Sequence, residues 1–217
     1  MIAALLSRQN GIIVRLAGQP RAFRLPKAIL HSSTSRVSNN RSLSGDTIVK
    51  PPVFASVEDE IRYANANQNN VMIRPTPGDG YGIFAMRDFR KWDLVMRAKA
   101  LSFSNEQGTH TIQTDWNTHV YMDLPARFVN HSCGEATVGI QANAFGAYDF
   151  VALSTIVFGQ EIRWDYEASE YEMVADFFCR CGSRTCRRRL RGFRYHGRSV
   201  IQAYGEEYIA PYLLRKL

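Results

Sequence analysis

Cysteine is absent from the first 132 residues of this chain and occurs only four times in all 217. Long apolar runs are absent as well: no stretch approaches the length of about 18 residues that a membrane-crossing helix needs, so we expect no transmembrane segment. The chain is nevertheless 45% hydrophobic and 12% aromatic. That composition is sufficient for a globular domain with its own core.

Acidic residues are missing from the first 45 positions, and this sets the charge of the whole chain. Of the 27 basic residues, the 20 outside this segment balance all 20 acidic residues, so the formal charge of +7 belongs to the leader. A neutral body does not favour nucleic acid as a partner. The seven basic residues among these 45 positions are Arg8, Arg15, Arg21, Arg24, Lys27, Arg36 and Arg41.

Residues 1–50 form this basic leader, which is rich in Arg and Ser. Such a composition is typical of an organelle transit peptide and predicts a mitochondrial or plastid location. The alternative is a disordered basic tail, which would suit a nuclear protein. In either case the leader takes no part in the predicted fold.

The remaining residues predict a mainly β, α+β fold with peripheral helices, because β-branched and aromatic residues recur in short runs between turn residues. We expect a helix over 56–68 with Ser56 as its N-cap, and a strand over 93–103. The segment 198–217 predicts helix with a break near Pro211.

Three cysteines form a Cys-x-Cys-x4-Cys motif at Cys179, Cys181 and Cys186. Two thiols one residue apart form a disulfide with each other only under strain, but both can readily bind one ion. Gly182 lets the backbone turn so that Cys186 reaches the same ion. A structural zinc site takes four ligands, and Cys133 is the only other cysteine. The pattern predicts a zinc tetrathiolate, with disulfides or unrelated buried thiols as open alternatives.

Four short motifs follow one another along the chain: GDGYGIFA (78–85), RFVNHSC (127–133), GQEIRWDY (159–166) and FFCRCGSRTCR (177–187). In order and spacing they resemble the motifs of SET-domain protein lysine methyltransferases with a post-SET zinc segment. The resemblance implies a fold of short strands around a pseudoknot-like core. It also implies three parts: a SET domain (51–176), a post-SET segment (177–195) and a C-terminal helical extension (196–217).

This resemblance implies methyl transfer from S-adenosylmethionine to a lysine of a protein or peptide, by a monomer. Tyr166 would orient the lysine amine, Tyr121 would line its channel, and the bulky Trp164 would narrow the channel and limit the product to mono- or dimethyllysine. The residues implied in cofactor binding are Gly80, Tyr81, Gly82, Asn130, His131 through its backbone, and Phe178.

One departure from the family pattern leaves another function open. The residues after Cys133 are Gly134-Glu135-Ala136, where the family has x-Pro-Asn. This favours, as an alternative, a zinc-stabilised SET-like binding module without catalysis. A further alternative is nucleic-acid binding through the arginine run at 187–194. The acidic residues between 165 and 176 either steer a basic peptide or form a solvated helix face.

Overall fold

The computed structural model describes residues 53–77, 80–108, 110–174 and 177–215, so the leader lies outside the described residues. The helices are α1 (Val57–Ala66), α2 (Phe193–Tyr204) and α3 (Pro211–Leu214). The strands are β1 (Val71–Thr76), β2 (Gly80–Ala85), β3 (Leu94–Arg97), β4 (Ala100–Ser104), β5 (Thr111–Asp115), β6 (Thr118–Met122), β7 (Asn130–His131), β8 (Val138–Ala142), β9 (Tyr148–Ala152), β10 (Glu161–Trp164), β11 (Phe177–Phe178) and β12 (Arg189–Leu190). Within the described ranges, no helix has the length and apolar character required to cross a bilayer.

The predicted mainly β architecture is confirmed, and one sheet organises the site. Its order is β1-β2-β10-β7. In the antiparallel pair β2–β10, Ile83 lies opposite Ile162, and both side chains are fully buried. Each such side chain stabilises the fold by about 1.5–3 kcal/mol. The short strand β7 runs parallel to β10, which brings the motif at 127–133 against the motif at 159–166.

Two three-stranded sheets, ordered β3-β9-β8 and β4-β6-β5, complete the main body. The single strand predicted over 93–103 is wrong, because it divides into β3 and β4, which belong to different sheets. The backbone leaves the first sheet where Ala98 N donates to Tyr148 O (3.0 Å) and Lys99 N donates to the Asp123 carboxylate (2.8 Å). The hydrophobic pattern is continuous across this change of partner, so it contains no signal for it.

The N-terminal helix prediction is confirmed. Ser56 caps α1 by accepting a hydrogen bond from Asp59 N (3.1 Å). Asn65 fastens the helix to β1, since its amide bonds both the N–H and the carbonyl of Ile73. The helix therefore buries its apolar face against the edge of the sheet that carries the site.

The predicted helical C-terminus with a break near Pro211 is confirmed, although the first helix begins before residue 198. The helix α2 ends at Gly205, in the left-handed region at φ 92°, and Pro211 begins α3. Tyr212 is 1% exposed and donates its hydroxyl hydrogen to Ser169 O. The extension thus completes the core directly behind the turn at 166–169.

Candidate active site and metal centre

The four cysteines meet where two distant segments of the chain come together. Their Sγ atoms all lie within 4.8 Å of one another, and none forms a disulfide. A zinc ion with Zn–S bonds of about 2.3 Å holds its sulfurs about 3.8 Å apart, so the spacing suits one tetrahedral ion. The predicted grouping of Cys133 with Cys179, Cys181 and Cys186 is confirmed, and the disulfide alternative does not hold.

Polar hydrogens point at three of the four sulfurs, as a thiolate site requires. Cys181 N donates to Cys179 Sγ (3.3 Å), and Arg188 N donates to Cys186 Sγ (3.4 Å). Cys133 Sγ lies 3.1 Å from His131 Nε2. The residues present therefore fit a metal ion that binds thiolates.

Gly134 occupies the free first position of the family's x-Pro-Asn, and close packing requires a glycine there. A Cβ atom at this position would lie 1.8 Å from Thr185 Oγ1 and 2.6 Å from Ser183 Oγ. Glycine is the residue that admits so close an approach of the two segments. The loop after Cys133 is thus matched to this chain's own cysteine segment.

His131 connects the cysteines to the backbone of the tyrosine motif. Its Nδ1 accepts a hydrogen bond from Tyr166 N (3.1 Å), so the ring proton of a neutral imidazole lies on Nε2. Nε2 lies 3.1 Å from Cys133 Sγ. The imidazole therefore has a structural task, and the predicted contact of the His131 backbone with a cofactor stays a prediction.

Tyr166 lies among aromatic and backbone groups at the end of β10. Its hydroxyl donates to Val129 O (2.9 Å), and its ring centroid lies 5.1 Å from those of both Trp164 and His131. Burial raises the pKa of Tyr166 far above its usual range. The phenol is consequently neutral at every physiological pH, which excludes it as a general base.

The two other residues predicted for the lysine channel have different surroundings. Trp164 is 5% exposed and packs edge-on against Phe150, with centroids 5.9 Å apart, as well as against Tyr166. Tyr121, on β6, lies under the guanidinium group of Arg127, 4.4 Å from Cζ to the ring centroid. Trp164 is thus a rigid wall beside the phenol, whereas the described contact of Tyr121 is with a cation.

The glycine motif of β2 and the Asn130 side chain lie side by side. Asn130 Nδ2 donates to Tyr81 O (3.1 Å) and to Glu161 Oε1 (2.9 Å). Gly80 pairs with Thr76 in the β1–β2 ladder. The structure therefore brings the predicted cofactor residues of β2 and β7 together across β10.

Phe178 stands apart from the other residues predicted to bind the cofactor. It lies on β11, opposite Arg189 of β12, and its side chain is 66% exposed. A ring that covered adenine would exchange this exposure for burial. Its predicted role stays a prediction.

The acidic residues after β10 do not form a solvated helix face. Asp165, Glu167 and Glu170 are at most 5% exposed, and Asp176 lies outside the described residues. Glu167 forms an ion pair with Arg187 Nε (2.7 Å), a member of the arginine run. Sequence reasoning missed this buried pairing, and the only signal for it is the regular place of carboxylates after Trp164.

Comparisons with known proteins show which proteins this part of the chain is similar to. Residues 80–167 match the family model of the SET domain. The variant-silencing SET domain-containing protein of Plasmodium falciparum is 29% identical over 137 residues, which cover 52% of this chain and 5% of that protein. Human histone-lysine N-methyltransferase 2D is 24% identical over 193 residues, which cover 75% of this chain and 4% of that protein. The chain thus spans less than a tenth of the length of these relatives.

Two solved structures are also similar. The methyltransferase domain of human PR domain-containing protein 2 has 13% identity and a TM-score of 0.41, over 56% of this chain and 93% of that one. KRYPTONITE, solved in complex with mCHG DNA and SAH, has 19% identity and a TM-score of 0.42, over 56% of this chain and 29% of that one. We conclude that the segment that carries β2, Asn130 and Tyr166 is similar to the SET domain.

Proposed function

We propose that the protein is an S-adenosylmethionine-dependent protein-lysine N-methyltransferase whose cysteine cluster holds a structural zinc ion. The observation that carries the proposal is the position of Tyr166. Its phenol is held against Val129 O and walled by Trp164, one strand away from the Asn130 amide. A neutral phenol between aromatic walls suits the orientation of an amine, which is the main requirement of methyl transfer from a sulfonium.

The cofactor would supply an electrophilic methyl group and leave as a neutral thioether. Asn130 and the His131 backbone would hold its amino and adenine groups, with Tyr81 beside them and Phe178 over the adenine. The zinc ion would be held by Cys133 and the three cysteines after β11, and would fix the segment that carries Phe178.

The lysine must arrive at the methyl group as a free amine. Its pKa in water is about 10.4, and an apolar channel favours the neutral form. Burial raises the pKa of Tyr166, so its phenol is already protonated and cannot accept the proton of the lysine. Trp164 therefore contributes by removing water from the amine, and Tyr166 contributes by fixing its direction.

Two alternative functions have less support. A binding module without catalysis would explain the lost Pro-Asn at 135–136, but Tyr166, Asn130 and the Gly80-Tyr81-Gly82 motif are all present. Nucleic-acid binding through the arginine run is weakened because Arg187 pairs with buried carboxylates and Arg194 pairs with Glu172. Calorimetry with S-adenosylhomocysteine separates the enzyme from a pure binding module. A pure binding module would not bind this ligand and would show no heat of binding.

Tyr166→Phe is expected to lower kcat about 100-fold, the usual effect of removing one oriented polar group from a transition state. The affinity for S-adenosylhomocysteine should stay within about threefold, because the phenol faces the amine and not the adenosine. The assay is transfer of labelled methyl to a lysine peptide library, with calorimetry for the cofactor.

Tyr148→Phe is the matched control for this experiment. Its hydroxyl also donates to a backbone carbonyl, that of Gln113 at 2.8 Å. It loses the same kind of bond and should keep the parental kcat. An equal loss of kcat in both variants would count against a role of Tyr166 in the reaction.

Trp164→Phe is expected to raise the number of methyl groups added per lysine. The indole is 5% exposed and packed on both sides, so a smaller ring leaves space beside the amine. Mass spectrometry of a peptide product would show mono- or dimethyllysine with the parent and one further methyl with the variant. An unchanged product distribution would contradict the proposed limit.

A further inference from the structure

Glu161 is a carboxylate inside the site to which no role has been given so far. Its side chain is 16% exposed at the start of β10. One oxygen, Oε1, accepts from Asn130 Nδ2 at 2.9 Å, and the other, Oε2, accepts from Arg163 Nε at 2.7 Å. Glu161 therefore lies between a cation and the amide that is proposed to meet the cofactor.

The surroundings of the Asn130 amide determine which way round it lies. Both partners of Nδ2, Tyr81 O and the Glu161 carboxylate, accept hydrogen bonds and donate none. A flipped amide would place Oδ1 against two acceptors and leave all three groups unpaired, a costly arrangement in a partly buried site. The carboxylate thus holds Nδ2 on its own side and turns Oδ1 away.

Oδ1 is the part of this side chain that is left for a ligand. No residue in the described ranges donates a hydrogen bond to it. It is also not among the buried side-chain atoms that lack a partner. An accessible amide oxygen without a donor can accept a hydrogen bond from an N–H group of a ligand. A charged ammonium group makes a stronger bond to it than a neutral N–H group does.

Gly82 shows that the chain makes room for this amide–carboxylate pair. A Cβ atom at Gly82 would lie 2.8 Å from Glu161 Oε1 and 2.9 Å from Asn130 Nδ2. The family resemblance implies that Gly82 takes part in cofactor binding. In the structure, the space beside it is filled by the chain's own polar pair.

We propose that Glu161 is a positioning residue that fixes the Asn130 amide with Oδ1 toward the cofactor, where Oδ1 accepts a hydrogen bond from the α-ammonium group. Gly82 provides the space in which the two side chains meet. This inference rests on the proposed function, since it requires that the site binds S-adenosylmethionine or its product.

Two ligands test the inference by calorimetry: S-adenosylhomocysteine, which carries the α-ammonium group, and 5′-methylthioadenosine, which lacks the amino-acid tail. Glu161→Gln keeps the shape of the side chain but offers Asn130 a donor as well as an acceptor, so only Tyr81 O still opposes a flip of the amide. We expect about tenfold weaker binding of S-adenosylhomocysteine, the loss of one hydrogen bond to a charged group, and a change below twofold for 5′-methylthioadenosine.

Two further variants separate positioning from a general effect on the strand. Arg163→Met removes the other partner of Glu161 and leaves the bond to Asn130, so both ligands should bind within about threefold of the parent. In an Asn130→Ala background, Glu161→Gln should cause no further loss, because there is no amide left to orient.

Equal weakening of both ligands by Glu161→Gln, or no weakening of either, would overturn the inference while leaving the proposed function in place. An additive loss in the Asn130→Ala background would overturn it as well. Failure of the parent protein to bind either ligand would overturn the proposed function itself, and this inference with it.

Discussion

Removal of the metal ion proposed at the four cysteines is expected to lower the affinity for S-adenosylhomocysteine at least about 100-fold, while the β core remains folded. Cys133, Cys179 and Leu190 form a small cluster of buried residues that is separate from the main hydrophobic core. Strands β11 and β12 contain two residues each. So little buried apolar surface leaves a large part of the ordering of this segment to the ion.

The size of the effect follows from populations. Structural zinc contributes about 10–16 kcal/mol of binding free energy in small zinc-dependent folds, and here that energy would order the cysteine segment. If the ordered form falls to about 1% without the ion, the apparent dissociation constant for the cofactor rises about 100-fold. His131 extends the effect to the site, since it lies between Cys133 Sγ and Tyr166 N.

The measurement combines metal analysis with calorimetry on wild-type protein and on Cys181→Ser. Wild-type protein should contain one zinc ion per chain, lose binding after chelation and regain it when zinc is added back. Cys181→Ser should contain less zinc and gain little from added metal, because an alcohol is a poor replacement for a thiolate. Full cofactor affinity in metal-free protein would show that the cysteine cluster does not order the site.

The sequence predicts those parts of the site that follow from ligand chemistry or from a motif. Four thiols suit one ion, so Cys133 had to meet the three cysteines more than forty residues later, and it does. Ser56 as a helix cap follows from local hydrogen bonding. The mainly β fold follows from short β-branched and aromatic runs.

Features that depend on which side chains meet across strands were not predictable in this way. The motif predicts Gly82 as a residue of the cofactor site, but it does not show that Glu161 and Asn130 fill the space beside its Cα atom. The change of sheet at Ala98-Lys99 is set by partners about 25 and 50 residues further along the chain. The acidic residues after Trp164 have a sequence pattern typical of an exposed face, and this pattern gives no information about their buried partners.

Glu167→Ala is expected to lower the free energy of unfolding by about 3–5 kcal/mol, the usual cost of breaking a buried ion pair by removing one partner. Glu167 is fully buried and accepts hydrogen bonds from Arg191 N (2.7 Å) and Gly192 N (2.8 Å). It also lies 2.9 Å from His196 Nδ1 and 2.7 Å from Arg187 Nε. One carboxylate thus fastens the start of α2 and the cysteine segment behind Tyr166.

The loss is large because alanine removes a shared acceptor from several buried donors. Two backbone N–H groups would be left without this acceptor, and the guanidinium of Arg187, which is 14% exposed, would keep only its ion pair with Asp165. A domain of this size is stable by only about 5–15 kcal/mol, so the change takes a large part of the total. The hydrogen bonds to Glu167 also explain how α2 begins at Gly192 without a side-chain cap.

Urea unfolding of Glu167→Ala and Glu172→Ala gives a matched comparison. Glu172 is 44% exposed and pairs with Arg194, which is 55% exposed, so its removal should cost less than about 1 kcal/mol. The midpoint should fall strongly for Glu167→Ala at an unchanged slope, and hardly at all for Glu172→Ala. Equal midpoints for the two variants would mean that contacts other than those of Glu167 hold the cysteine segment and α2. The two midpoints should differ only if the buried carboxylate of Glu167 connects these two segments.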